Sequence, residues 1–487
     1  MFLGIDIGTS SVKLSLVSDE FRQIGEASSP LTVQTPRPYW SEQDPEAWWS
    51  ALSDACAKLR RDHDIGDLRA IGLSGQMHGA VLLDAGNAVI RPAILWNDGR
   101  SHAECIGLAE AMPDIGMRAG VPPMPGFTAP KLLWLARHEP ASHARIAQVL
   151  LPKDYIGFRL HGRFVTDLSD AAGTHWLDQA ARDWSDELCA ISMTDRAWLP
   201  ELRHGSEVAG TTGRTAAASL NLPEGVPVVA GGGDAATGAV GIGAVRDGAA
   251  FISLGTSGQL FVATDSYRPN PEQMVHAYCH TTPEMWFQMA AMLNGARPMQ
   301  WFAETVKAPI DVLMSEAECA EPAEELLFLP YLTGERSPHG DPHIRGGFYG
   351  ISDGTTRGQM MRAIVNATAY SFADAVESLR AAGTSVTDVL AIGGGAKSDL
   401  LLQTIADATG AVIERAQDAA TGPAVGAARL AAVSTGTVSP ADLAERPPVE
   451  RRFEPISADC HAEGLARFRA LYARLKGAHL DGKEQGS

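Results

Sequence analysis

The chain has 487 residues, more than one ordinary hydrophobic core accommodates, so two domains are the default. Apolar residues make up 45% and charged residues 20%, a globular profile, and the net charge of −18 excludes non-specific nucleic-acid binding without excluding a phosphate held by local N–H groups and a metal. Six cysteines (Cys56, Cys105, Cys189, Cys279, Cys319, Cys460) with no CxxC spacing exclude a disulfide framework or zinc site and fit a reducing cytoplasm.

The first element is the run Leu3-Gly4-Ile5-Asp6-Ile7, followed by Gly8-Thr9-Ser10 and a second run, Val12–Val17. The pattern predicts a strand–turn–strand hairpin. Its Gly tolerates positive φ, and its successive N–H groups can face one phosphate beside the Thr and Ser hydroxyls. Asp6 interrupts the only apolar stretch near the N-terminus and no basic segment precedes it, so no signal peptide is expected. Asp44-Pro45 predicts a capped helix with Trp49, Leu52, Cys56 and Leu59 on one face. Ala70–Ser74 reads as a buried strand delivering Gly75-Gln76-Met77-His78-Gly79. Pro113–Pro130 reads as an ordered loop and Lys131–Arg137 as helix. Val226–Ala230 is a further strand, ending at Gly231-Gly232-Gly233-Asp234, and Ala235–Gly243 is a helix of small residues packed close to a sheet. The stretch Val226–Val245 is nearly uncharged, but its glycines and Asp234 argue against a membrane span.

The second half repeats the theme. Ala250-Phe251-Ile252-Ser253-Leu254 leads into Gly255-Thr256-Ser257-Gly258 and then Gln259–Ala263, a second Gly-Thr-Ser hairpin. An irregular segment follows, then a long helix from Thr356 to Leu379 with Ile364, Thr368, Phe372 and Leu379 along one side. Val389–Ile392 is a strand delivering Gly393-Gly394-Gly395-Ala396, as Ile71–Gly75 does in the first half. Two recurring elements in one order point to duplication of an α/β unit. Arg446-Pro447-Pro448 breaks the chain, and Leu465, Phe468, Leu471, Tyr472 and Leu475 mark a last amphipathic helix. The expected division is an N-terminal domain 1–245, a C-terminal domain 246–480 and a frayed tail 481–487.

No GxxxxGK[ST] occurs, which excludes a P-loop, and Gly241-Ile242-Gly243 lacks the third glycine of a dinucleotide fingerprint. A single Gly-Thr-Ser turn is an ordinary hairpin, whereas two, with a third glycine turn at Gly393–Gly395, point to phosphate. Asp6 is costly to bury without a partner. A divalent metal on a nucleotide is one such partner, and a cap on turn N–H groups is the structural alternative. The second copy has Ser253 at this place, so only one hairpin keeps the charge. Asp234 stands at a strand's carboxyl end, where α/β sheets place ligands, although a plain N-cap would look the same. Met77-His78 lies on a loop at the matching end of its own strand and suits a sugar contact. His339 and His343 flank Asp341-Pro342, and Pro342 prevents a helical metal-binding pair.

These residues resemble the FGGY carbohydrate kinases of the actin-like ATPase superfamily. The resemblance covers nearly the whole chain. Gly126-Phe127-Thr128-Ala129-Pro130-Lys131-Leu132-Leu133-Trp134-Leu135-Ala136-Arg137-His138 matches one family signature in full. The other, Gly346–Ile351 with Gln359–Asn366, departs at its last position, where Asn366 replaces an acidic residue or Gln. The segments Leu31–Pro45, Gly75–Ala80, Arg91–Arg100, Leu151–Tyr155 and Asp170–Thr174 are similar to those of members that phosphorylate D-xylulose. The resemblance implies two duplicated ribonuclease-H-like α/β domains with a cleft between them, and ATP-dependent phosphorylation of a ketopentose, D-xylulose, at O5. By the same carry-over Asp234 is the general base and contacts the substrate, and Met77 and His78 line the sugar. Asp6 organises Mg2+, and Thr9, Ser10, Lys13, Gly255 and Thr256 hold phosphates. Gly394, Gly395 and Ala396 lie along the adenosine, and Gln300 reaches the nucleotide. A homodimer rests on the resemblance alone, and neither nucleic acid nor membrane is an expected partner. The family's usual amide after the catalytic Asp is Ala235 here, which removes a contact of about 1 kcal/mol and keeps ribulose, L-xylulose and glycerol as alternative sugars. A non-catalytic sugar or nucleotide sensor, or an actin-like assembly protein, would keep the same clamp, but the presence of both Asp6 and Asp234 argues for catalysis.

Overall fold

The computed structural model describes residues 1–417, 422–456 and 459–477. The expected tail 481–487 lies outside the described residues.

Each half is built on a seven-stranded sheet. In the first, the main path runs Val208–Thr211, Pro227–Val229, Ala70–Gly75, Phe2–Ile7, Ser11–Val17, Gln23–Pro30, and Gly232–Gly233 adds to Ala70–Gly75. In the second it runs Val275–Cys279, Trp286–Met292, Gly258–Thr264, Ala250–Leu254, Asp388–Ile392, Val412–Ala416, Val449–Phe453. Six strands match in order, and Gly232–Gly233 and Val275–Cys279 have no counterpart in the other sheet. A Gly-Thr-Ser hairpin sits at the centre of each, and its first strand pairs in parallel with the strand that delivers the next glycine turn. Trp286–Met292 extends the second hairpin as Gln23–Pro30 extends the first. The expected duplication is therefore a property of the fold, and the segment after the second hairpin, expected to be irregular, contains four strands (Val275–Cys279, Trp286–Met292, Leu327–Leu329, Gly347–Tyr349) and the helices Arg297–Val306 and Ile310–Cys319.

Two details of the hairpins differ from expectation. Neither Gly8 nor Gly255 is among the residues with positive φ. Space decides at Gly8, since a Cβ there would lie 3.0 Å from Ser11 O. The loops also differ in length, because Ile7↔Val12 is the last pair of the first hairpin and Leu254↔Gly258 that of the second.

The helix Pro45–Asp62 begins as the sequence predicts, with Asp44 accepting from Glu46 N–H and Pro45 at its first turn. Trp48, rather than Trp49, joins Leu52, Cys56 and Leu59 in the core. Such side chains contribute about 1.5–3 kcal/mol each when fully buried. The Pro-rich patch contains a short helix, Ile115–Ala119, and the next helix starts at Thr128. The long helix is Arg357–Ala381, capped by Thr356 and Gln359. In the last helix, Asp459–Leu475, Phe468, Leu471 and Tyr472 are buried and Leu475 is exposed.

Helix Pro423–Ser434 belongs to the second half in sequence but lies on the first sheet. A Cβ at Gly4 would be 1.7 Å from Ala424 O, and one at Gly72 1.8 Å from Ala427 O. Helix Asp234–Gly241 packs chiefly against this helix, where a Cβ at Gly426 would be 1.8 Å from Thr237 O. Its small residues thus serve a helix crossing rather than the sheet contact expected.

Candidate active site

Sheet register puts the two acidic residues at one end of the first sheet. Asp6 lies beside Ser74, and Ser74 beside Gly232, on three adjacent parallel strands. Asp234 opens the helix immediately after. Ser74 Oγ donates to Asp6 Oδ1 at 3.1 Å and lies 2.7 Å from Thr237 Oγ1, which in turn contacts Gly233 O at 3.0 Å. This chain of hydroxyls joins the strand carrying Asp6 to the turn carrying Asp234.

The electrostatics are those of two carboxyls sharing one site. Burial pushes Asp6 up to about 6, opposed by the Ser74 hydrogen bond and the Lys13 charge across the hairpin. Burial, then the Asp6 charge, pushes Asp234 up to about 7, opposed by the hydrogen bond from Ala235 N–H at 2.8 Å. Neither is ion-paired to a Lys or Arg among the described residues. A pair of buried oxygen donors, one raised further by the charge of the other, fits a hard divalent cation, which would relieve both.

Met77 and His78 follow the central strand. A Cβ at Gly233 would be 2.9 Å from Met77 Sδ, and one at Gly173 2.5 Å from the His78 ring, so these glycines leave room for the two side chains. His78 has φ +69°, a left-handed conformation fixed from outside. Its carbonyl accepts from Lys131 Nζ at 2.7 Å and Thr128 Oγ1 at 3.2 Å. Its Nδ1 lies 2.7 Å from Gly173 O. Burial holds the imidazole well below its ordinary range, helped by Lys131, His276 and Arg336 and opposed by Gly173 O. Nδ1 is therefore the donor and Nε2 an acceptor, by assignment from the hydrogen bond.

The first hairpin is braced from within. Thr9 Oγ1 donates to Gln76 Oε1 at 2.9 Å and accepts from Trp96 Nε1 at 3.0 Å, while Gln43 Nε2 donates to Thr9 O at 2.8 Å. The Thr9 hydroxyl is thus occupied and Gly8 N–H donates to Ser11 O at 3.0 Å, while Ser10 and Lys13 are exposed. In the second hairpin Gly295 N–H donates to Thr256 O at 3.0 Å and Ala296 N–H to Gly255 O at 2.7 Å, fixing the start of helix Arg297–Val306 against it. Gln300, on that helix, is exposed and donates to Glu304 at 2.9 Å. Gly393 has φ +91°, and a Cβ at Gly395 would be 2.9 Å from Leu254 Cβ, so the third glycine turn lies against the second hairpin. Gly394 is exposed, and a Cβ there would meet nothing within 4 Å, so the outer side of this turn is open.

Some important residues carry no local signal. Lys131 is buried and spends its ammonium on the carbonyls of His78 and Ile94. Lys153, also buried, meets Asp154 at 2.5 Å, Asp167 at 3.0 Å and Asp170 at 3.4 Å. Ser169 Oγ donates to Asp167 Oδ2 at 2.5 Å and accepts from Gly233 N–H at 3.1 Å, so this cluster supports the turn before Asp234. Both Lys131 and Lys153 fall inside segments that matched as whole strings, the one signal available. His339 contacts Tyr331 Oη at 2.9 Å and stacks on Tyr472. A cavity of about 390 Å³ near Arg362 and His461 is lined by none of the residues expected to carry chemistry.

A duplicated actin-like α/β fold with paired glycine hairpins and two unneutralised carboxyls is the frame of a phosphotransferase. The chain belongs to the FGGY family of carbohydrate kinases, its N-terminal domain model matching residues 1–241 and its C-terminal domain model residues 250–435. It is 43% identical to a protein of Escherichia coli K12 named xylulose kinase, over 98% of this chain and 99% of that protein. It is 36% identical to a Bacillus subtilis protein of the same name, covering 89% and 88%. A crystal structure from Brucella ovis, described as a "xyloylose kinase", superposes with a TM-score of 0.94 at 42% identity, covering 98% of this chain and 100% of that one. The chain is a carbohydrate kinase, and its family implies ATP as phosphoryl donor. Among the described residues no helix is long and apolar enough to cross a membrane.

Proposed function

We propose that this kinase transfers the γ-phosphoryl group of ATP to O5 of D-xylulose, giving D-xylulose 5-phosphate and ADP, in the cytoplasm. The observation that carries the proposal is the register-fixed pair Asp6 and Asp234, linked through Ser74 at the carboxyl end of the first sheet. Asp234 accepts the proton of the attacking hydroxyl. Its carboxyl, raised to about 7, is matched to a proton transfer near neutral pH. His78 Nε2 accepts a hydrogen bond from a sugar hydroxyl, and Met77 forms the apolar wall. Mg2+, when bound at Asp6, would neutralise phosphate charge. Ser10, Lys13 and the N–H groups at Thr9, Gly255 and Thr256 hold phosphates, and Gly394, Gly395, Ala396 and Gln300 bound the nucleoside. Asp234, His78, Met77 and Asp6 thus come from residues 1–245, and the residues that bound the nucleoside from 246–480. Such a site works by alignment and by exclusion of water, which would otherwise accept the phosphoryl group.

The test is a coupled ADP-release screen over ketoses and polyols. D-xylulose is expected to give the highest kcat/KM. A tenfold preference for ribulose, L-xylulose or glycerol would overturn the sugar assignment, and ADP release indifferent to every sugar would overturn the kinase mechanism.

A further inference from the structure

Arg336 is a cation from the second half that the chemistry above does not use. Its segment is held on three sides. Glu335 Oε1 accepts from Leu293 N–H at 2.6 Å and Arg336 N–H at 2.8 Å, and Asn294 Nδ2 donates to Gly334 O at 2.9 Å. Ser337 N–H donates to Ala291 O at 3.2 Å, and its Oγ contacts Ala291 N at 3.1 Å and Met274 O at 2.7 Å. These bonds fix Arg336 beside the strands Val275–Cys279 and Trp286–Met292. Asn294, which holds this segment, is followed by Gly295, which is bonded to the second Gly-Thr-Ser turn.

The guanidinium has no carboxylate within ion-pair distance among the described residues, and it is half-buried. The carboxyl beside it offers little compensation, because burial pushes Glu335 up to about 7 while its oxygens serve N–H groups. An Arg left in this state in a cleft has donors to give.

Its position along the cleft follows from its neighbours. From Asp234 the wall runs past Gly233 to Met77, then to Gly173 and His78. Phe127 lies 4.4 Å from the His78 ring and 6.2 Å from His276, and His276 lies 5.5 Å from Tyr278. Ser337, the residue after Arg336, is bonded to Met274 O at the start of the strand carrying His276 and Tyr278, and Phe127 joins His276 to His78. Arg336 therefore stands at the His78 end of the site. His276 Nδ1 and Tyr278 Oη are buried there without hydrogen-bond partners among the described residues, so polar capacity collects at this end.

We propose that Arg336 is a specificity-determining residue whose guanidinium donates to the oxygens on C1 and C2 of the open-chain sugar, the end opposite the hydroxyl that Asp234 deprotonates. The inference rests on the sugar-kinase reading above. With O5 at Asp234, an extended ketopentose carries C1 and C2 past Met77 to this place. A planar fork of donors suits oxygens on adjacent carbons, and a carbonyl oxygen can only accept. Ala235 supplies no side-chain hydrogen bond at the other end, so selection falls on contacts such as this one.

The test is initial-rate kinetics on the full chain as wild type, R336M and R336K, with D-xylulose, 1-deoxy-D-xylulose and xylitol, alongside KM for ATP and thermal melting. Wild type should prefer D-xylulose over the 1-deoxy or the reduced analogue by about 100-fold, since a site built to bind an oxygen rejects its absence. R336M should raise KM for D-xylulose about tenfold or more, collapse at least one of those preferences to within about threefold and leave KM for ATP unchanged, with R336K intermediate. Preferences that survive intact in R336M overturn the proposal, as does a loss confined to kcat or to ATP. If wild type prefers another sugar, the sugar assignment has failed, and the same comparison on that sugar and its terminal-deoxy analogue decides the role of Arg336. A melting point that falls in R336M but not R336K leaves R336K to decide, by the same ratios.

Discussion

Replacing Asp234 with Asn should make the free protein more stable while disabling it. Burial, then the Asp6 charge, raises this carboxyl from 3.8 to about 7, against the bond from Ala235 N–H. At about 1.4 kcal/mol per pH unit, ionising it in the folded chain costs up to about 4 kcal/mol more than in the unfolded chain. The side chain is half-buried and open to the cleft, so solvent reduces this to about 1–3 kcal/mol. The folded group binds its proton more tightly than the unfolded one. Wild-type stability therefore falls as pH rises from about 4 to about 7 and levels off above that, whereas the Asp234→Asn protein has no such loss. Chemical unfolding of metal- and nucleotide-free protein should show the variant nearly equal to wild type at about pH 4 and about 1–3 kcal/mol more stable at about pH 8. A variant no more stable than wild type at the higher pH would refute the claim that this carboxyl is held in an unfavourable state for function.

Three further outcomes follow from the same geometry. Asp6→Asn removes the charge that raises Asp234, so the acid limb of kcat/KM for the sugar should move to lower pH while the Mg2+ requirement rises; an unmoved or raised limb in a pH profile counts against the pairing. Lys153→Met leaves Asp154, Asp167 and Asp170 without their shared cation. It should cost about 3–5 kcal/mol by chemical unfolding at neutral pH, and less in acid, where the carboxyls take up protons. Gly72→Ala puts a methyl 1.8 Å from Ala427 O, whereas Gly394→Ala meets nothing within 4 Å. The first should cost about 3 kcal/mol or more and the second less than about 1 kcal/mol, and equal melting points would contradict the close helix–sheet contact.

Much of this fold is legible because its signals are local. The hairpins, the Asp44 cap, the Thr356 start and the strand before Gly393 are each carried by a few adjacent residues, and the repeat of two of them exposes the duplication. What the sequence does not disclose depends on partners far along the chain. The contact that empties Gly4 and Gly72 of side chains comes from Ala424 and Ala427. Thr9 looks like a phosphate hydroxyl until Gln76 and Trp96 occupy it. Lys131 looks like one residue of an amphipathic helix, yet it holds the His78 carbonyl across the loop. Val275–Cys279 and Trp286–Met292 are missed as strands because both are buried almost throughout, so no alternation of apolar and polar residues marks them.

The central claim is that Asp234 takes the proton from the sugar in a site that otherwise binds its nucleotide independently. It is tested most directly by measuring kcat for D-xylulose phosphorylation in wild type and Asp234→Asn, with the ATP dissociation constant determined on the same samples. The account predicts a fall in kcat of about 100- to 10,000-fold with ATP affinity within about threefold of wild type. A variant that keeps more than about a tenth of wild-type kcat would contradict it.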